Sequence, residues 1–235
     1  VTDLNLLVIA PEAPGQQPLG WLRELGNLSA IEGVKLQLVG GNQANEPAIA
    51  QALRTNRDVV IWSGHGEPNG LVMSDGGIVD GQWLATQAKC GAPRVMVIAA
   101  CGSAVKDVAL QSVTQYVSRA GINAVGMPLG ASDKGAIEFN TEFVRALVAG
   151  ADIGTAYEVA SNHARRTAPA LAQGLTLTPG LTNGYRAIMQ RMDEQDRRLE
   201  GMDDTQRAIL ARLETLESLM RQALGERLPR RRAAA

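Results

Sequence analysis

The sequence predicts an α/β fold: a three-layer αβα sandwich with a mostly parallel sheet, followed by a C-terminal helical tail. Three observations predict it. Apolar runs of strand length alternate with helix-patterned stretches as far as about Arg166. The runs Val59-Val60-Ile61-Trp62 and Val95-Met96-Val97-Ile98-Ala99-Ala100 are continuously apolar, as strands covered on both faces must be. Beyond Gly184 the composition shifts sharply toward Arg, Glu, Asp, Gln, Leu and Met.

Taken in order, Leu4 to Ala10 reads as the first strand and Leu19 to Leu28 as a helix. Val34 to Val39 is a second strand closed by Gly40-Gly41, and Glu46 to Arg54 a helix with Pro47 suited to its first turn. The next strand starts at Asp58 and stops at Ser63-Gly64-His65-Gly66. Leu71-Val72-Met73, Ser74-Asp75-Gly76-Gly77 and Ile78-Val79 read as a small hairpin with Gly-rich turn chemistry. Asp80 is suited to cap a helix over Gln82 to Lys89, which leads into the strand ending at Cys101. Asp107 to Ala120 is helical, Ala124 to Leu129 is a fifth strand, and Ala136 to Ala149 and Ile153 to Arg166 are helices. These elements make one domain over 1–167. Pro169, Gly174, Pro179 and Gly180 mark 168–184 as a linker or irregular cover.

The tail, 185–228, carries a heptad pattern before a basic end at 229–235. Its a positions are Tyr185, Met192, Leu199, Gln206, Leu213 and Met220, and its d positions Ile188, Gln195, Met202, Ile209, Leu216 and Ala223. Arg191, Arg198 and Arg212 fall at g, with Asp196, Asp203 and Glu217 at the following e positions, the pairing of a parallel dimer. Self-association or a partner protein through 185–223 is therefore expected. Gly201 and Asp203-Asp204 leave two other arrangements open, a helical hairpin or an amphipathic helix lying on its own domain.

At 235 residues, 45% hydrophobic and 20% charged, the chain has the profile of a globular protein with a core, and with 3% aromatics that core is largely aliphatic. A net charge of -1 gives no general reason to bind nucleic acid. No run approaches the roughly 18 apolar residues of a membrane span. Leu4 to Ala10 is too short, and lacks the basic start, for a signal peptide. The absent initiator Met points to a trimmed start. Two cysteines, Cys90 and Cys101, make no disulfide framework, and a cytoplasmic location is expected. The first strand is followed by no Gly-x-Gly-x-x-Gly turn, which counts against nucleotide binding; neither a cofactor nor a metal is expected.

Two strands end in a matched pair of reactive residues, His65 and Cys101. Parallel strands joined by right-handed crossovers end on one edge of the sheet, and ligand chemistry in open α/β sheets lies beyond those ends. An imidazole beside a thiol withdraws its proton and stabilises the thiolate. The backbone N–H groups of Gly66 and Cys101 are the natural donors to an oxyanion. No carboxylate is evidently placed to orient His65, so that task falls to a backbone carbonyl. Singly, each residue has a plainer reading: a buried small thiol for Cys101, and a turn residue or metal ligand for His65. Cys90, at a helix end, reads as inert, and His163 as a surface or capping residue.

Ser63-Gly64-His65-Gly66, the hairpin from Gly70 to Gly76, and Ala99-Ala100-Cys101-Gly102-Ser103 together resemble a caspase-fold cysteine peptidase, in particular the CHAT branch related to separases. Gly121 to Pro128, Asp133 and the helix from Ala136 resemble that family's next strand and helix, so the resemblance covers about 4–166. It implies a caspase-like fold with His65 as general base, Cys101 as nucleophile and Gly66 in the oxyanion hole. It also implies a regulated effector that cuts a specific protein substrate. Asp133 would either face a substrate pocket that favours a basic P1 side chain or cap the helix after it. The alternative is a catalytically silent interaction module on the same fold.

Overall fold

The computed structural model describes residues 3–67, 70–100, 113–128 and 131–180, with Arg212 and Thr215. Its elements follow in order: β1 (Leu4–Pro11), α1 (Trp21–Ser29), β2 (Val34–Gly41), α2 (Glu46–Leu53) and β3 (Val59–Ser63). Three short strands come next, β4 (Gly66–Glu67), β5 (Gly70–Val72) and β6 (Ile78–Val79), then α3 (Gly81–Gly91) and β7 (Val95–Ala99). The remainder is α4 (Val113–Arg119), β8 (Asn123–Gly126), α5 (Asp133–Val148), α6 (Ile153–Thr167), α7 (Pro169–Gly174) and β9 (Thr176–Thr178).

Six strands form one sheet in the order β2-β1-β3-β7-β8-β9. The first five run parallel, and only β9 is antiparallel to its neighbour β8. Successive strand residues point to opposite faces, so one strand feeds two cores. Leu6, Val8, Ile61 and Val97 pack with Leu28 of α1 and with Phe139, Phe143 and Val144 of α5; Ala156, Ala160 and Ala164 of α6 join them. Leu7, Ile9, Val60, Trp62, Met96 and Ile98 pack with Ile49 and Leu53 of α2, Leu84 and Ala88 of α3 and Val117 of α4. β3 and β7 are buried at every position, which is why their sequences do not alternate. The α/β, mostly parallel sandwich is therefore observed.

Local signals hold where they have a mechanism. Asn45 caps α2 through Ala48 N–H and Asp80 caps α3 through Trp83 N–H, and Pro47 sits in the first turn of α2. Two differences stand out. The hairpin gains a third strand, because Gly66 and Glu67 pair with Leu71 and Gly70. And 168–184, expected as a linker or irregular cover, contains α7 and β9. Ser118 Oγ donates to Pro179 O at 2.5 Å and Gly180 N–H to Asn123 Oδ1 at 3.1 Å, tying that return strand down. The chain divides into two units, Val1–Thr182 and Asn183–Ala235. The heptad positions, apart from Arg212, lie outside the described residues, as does the basic end.

Candidate active site

β2 and β3 flank β1, so the strand order reverses at β1. At such a reversal the loops leaving adjacent carboxyl ends part and leave a crevice. The loop after β1 carries Gln17, and the loop after β3 carries His65. The two meet there: His65 Nε2 lies 2.9 Å from the Gln17 carbonyl oxygen. A carbonyl only accepts, so Nε2 bears the proton, and in the neutral ring Nδ1 then holds the free lone pair. The backbone carbonyl expected to orient His65 is thus Gln17 O.

Close packing holds the approach to His65. Gly64 N–H donates to Ala99 O at 3.3 Å, extending the contact between the β3 and β7 chains past the last strand residue. A Cβ at Gly64 would stand 2.8 Å from Trp62 Nε1 and 3.2 Å from Pro11 Cγ, so any larger residue requires one of those side chains to shift. Val72 N–H donates to His65 O at 3.0 Å. Bonded and non-bonded pairs alternate along an antiparallel ladder, so Gly66, opposite Leu71, turns its own N–H away from β5. Gly70, at φ 151°, makes the turn back; a Cβ there would stand 2.2 Å from Val79 O.

Cys101, the other half of the expected dyad, lies outside the described residues. Ala99 and Ala100, which precede it, are buried. Asp133 is the first residue of α5, half-buried, and its Oδ2 accepts from Gly20 N–H at 3.0 Å. The helix cap is its neighbour: Ser132 Oγ accepts from Gly135 N–H. Cys90 is exposed, with a long contact of 3.9 Å from Sγ to Thr86 O. His163 sits near Glu138, Glu142 and Arg145 at a shallow cleft of about 320 Å³ between α1, α5 and α6. No group of metal-binding side chains occurs among the described residues. Nor is any helix among them long and apolar enough to cross a membrane.

Beneath the His65 loop lies a polar cluster that hydrophobic pattern alone does not reveal. Glu24 of α1 and Asn140 of α5 are both fully buried, and Asn140 Nδ2 donates to Glu24 Oε1 at 2.6 Å. Burial pushes the Glu24 carboxyl above its ordinary range. The neighbouring Ser63 hydroxyl and Asn140 amide oppose that rise, and the charge of Asp133 adds to it. The sequence signal for this cluster is one acidic residue on the apolar face of α1, and Asn140 among the apolar positions of α5.

The model of the CHAT domain family matches residues 10–192. No curated protein matches the chain. Among solved structures, one from Mycobacterium smegmatis shares 12% identity at a TM-score of 0.30. That match covers 74% of this chain, and the chain spans 58% of that structure's length.

Proposed function

Since the chain belongs to the CHAT domain family, the caspase-like branch, we propose that it is a cysteine endopeptidase that cleaves a specific protein substrate through His65 and Cys101. The observation that carries this reading is the contact of His65 Nε2 with Gln17 O, which in the neutral ring places the proton on Nε2 and leaves Nδ1 as the base. Strand register supports the partner. The last paired residues of these adjacent parallel strands are Ser63 and Ala99, and in the sequence His65 and Cys101 each follow two positions after them.

Chemistry follows from those roles. Nδ1 takes the proton from the Cys101 thiol, and the thiolate attacks the scissile carbonyl carbon. As the C–S bond forms, the carbonyl π pair moves onto oxygen, where the N–H groups of Gly66 and Cys101 receive the negative charge. Nδ1–H then protonates the leaving amine as the C–N bond breaks, giving a thioester. Water attacks the thioester, its proton passes to Nδ1, and the thiolate departs. Removing one oxyanion donor typically costs on the order of 10²–10³ in rate.

Residues 185–228 serve as the recruiting or dimerising element of this peptidase, with 229–235 as its basic end. Their heptads and g-to-e charge pairs support self-association, and a partner protein is the other user of that surface. The test begins with Cys101→Ala as bait to capture substrate. Wild type should cleave the captured protein, whereas Cys101→Ala and His65→Ala should not. A thiol-reactive peptide probe that labels wild type and Cys101→Ala equally sinks the peptidase reading. Stable capture without cleavage by wild type favours the silent interaction module.

A further inference from the structure

His65 is oriented by a carbonyl in an irregular loop, and such an atom orients nothing unless the loop itself is held. The 12–20 segment contains no strand or helix. Three residues beyond Gln17 stands Gly20, the residue before α1, and three hydrogen bonds fasten it. Its carbonyl accepts from Arg23 N–H and Glu24 N–H at 2.9 and 3.1 Å, and its N–H donates to Asp133 Oδ2 at 3.0 Å. The Asp133 contact bridges 113 residues of sequence and joins the start of α1 to the start of α5. Its carboxylate stands at two helix N-termini, where the helix dipoles favour a negative charge. One turn later Glu24 grips α5 again through Asn140, with Ser63, two residues before His65, beside it.

We propose that Asp133, with Glu24 and Asn140, is a positioning device for the catalytic base: it locks α1 to α5 so that the Gln17 carbonyl holds the His65 ring. The inference rests on the reading of His65 as base, and it gives Asp133 a role inside the fold. The geometry is tight: a Cβ on Gly20 would stand 2.8 Å from Asp133 Oδ2. Among the described residues no hydrogen bond joins Asp133 to His65, so its effect on the ring has to pass through Gly20 and the loop that carries Gln17.

The test uses the full chain in a Cys90→Ser background, so that Cys101 is the sole thiol. Two quantities are read: the rate of Cys101 alkylation by iodoacetamide from pH 5 to 9, and the His65 tautomer by nitrogen-15 NMR, assigned with His65→Ala. Asp133→Ala should lower the alkylation rate at pH 7 about tenfold, a partial loss of the roughly 10²–10⁴-fold that general-base assistance supplies. It should also convert His65 from the Nε2–H form to a mixture of tautomers. Asp133→Asn keeps an oxygen that accepts from Gly20 and should stay within about twofold of the parent. If Asp133→Ala does not fold, Gly20→Ala carries the same test and should show the same loss. An unchanged tautomer and rate in the folded variant overturn the positioning role. A separate result overturns the dyad: His65→Ala alkylating as fast as the parent. In that case the tautomer alone still decides whether Asp133 positions the ring.

Discussion

Replacing Glu24 by Gln tests whether a carboxyl buried beneath the His65 loop is held neutral. Glu24 is fully buried, and the same burial raises its folded value above the ordinary 4.5. The sign follows. Below 4.5 both the folded and the unfolded chain hold the proton, so the group's contribution is whole. Between 4.5 and the raised folded value, the unfolded chain has released a proton that the folded protein keeps. Stability then falls as pH rises, by at most about 1.4 kcal/mol per pH unit for one group. Above the folded value the loss stops growing. Gln is close in shape to the protonated acid, still offers an oxygen to Asn140 Nδ2, and cannot ionise. Urea unfolding of both proteins at pH 5, 6, 7 and 8 should therefore show Glu24→Gln gaining on wild type as pH rises, then levelling. Parallel curves, or a gap that widens on acidification, would falsify the neutral-carboxyl argument.

Other perturbations separate packing, backbone fit and assembly. Phe139 is fully buried, its ring 5.9 Å from that of Phe143 and 6.0 Å from that of Tyr157; Phe139→Ala should cost about 3–5 kcal/mol, read as a lowered urea midpoint. Gly64→Ala puts a methyl against Trp62 and Pro11 and should cost about 1–3 kcal/mol while slowing Cys101 alkylation; a variant as stable as wild type would show that the contacts yield freely. Sedimentation of the full chain against a truncation after Gly180 should show a dimer becoming a monomer. A monomer in both rules out the self-paired coiled coil.

Much of the fold is legible because burial on two faces leaves a plain mark. β3 and β7 have no polar position between Val59 and Trp62 or between Val95 and Ala99, and their length rules out helices. Asp80 and Asn45 announce their helices through side-chain chemistry that acts three residues away. β9 leaves no such mark. Thr176-Leu177-Thr178 is too short for a period to register, the Pro and Gly around it look like punctuation, and its pairing depends on the open edge of β8. The site shows the same division. His65 and Cys101 stand out as residue types at strand ends, whereas the group holding His65 is a main-chain atom 48 positions earlier. The Asp133–Gly20 contact spans 113 positions, and no local pattern encodes that distance.

Every residue has a carbonyl, so no point mutation at position 17 deletes the acceptor that faces His65. Side chains at positions 12–19 are therefore free to drift as far as this hydrogen bond is concerned, whereas position 20 has no room for one. A single inserted or deleted residue would carry the oxygen away from the ring. What descent has to preserve there is the length and path of the loop, and a comparison of relatives that scores only identities would pass over it.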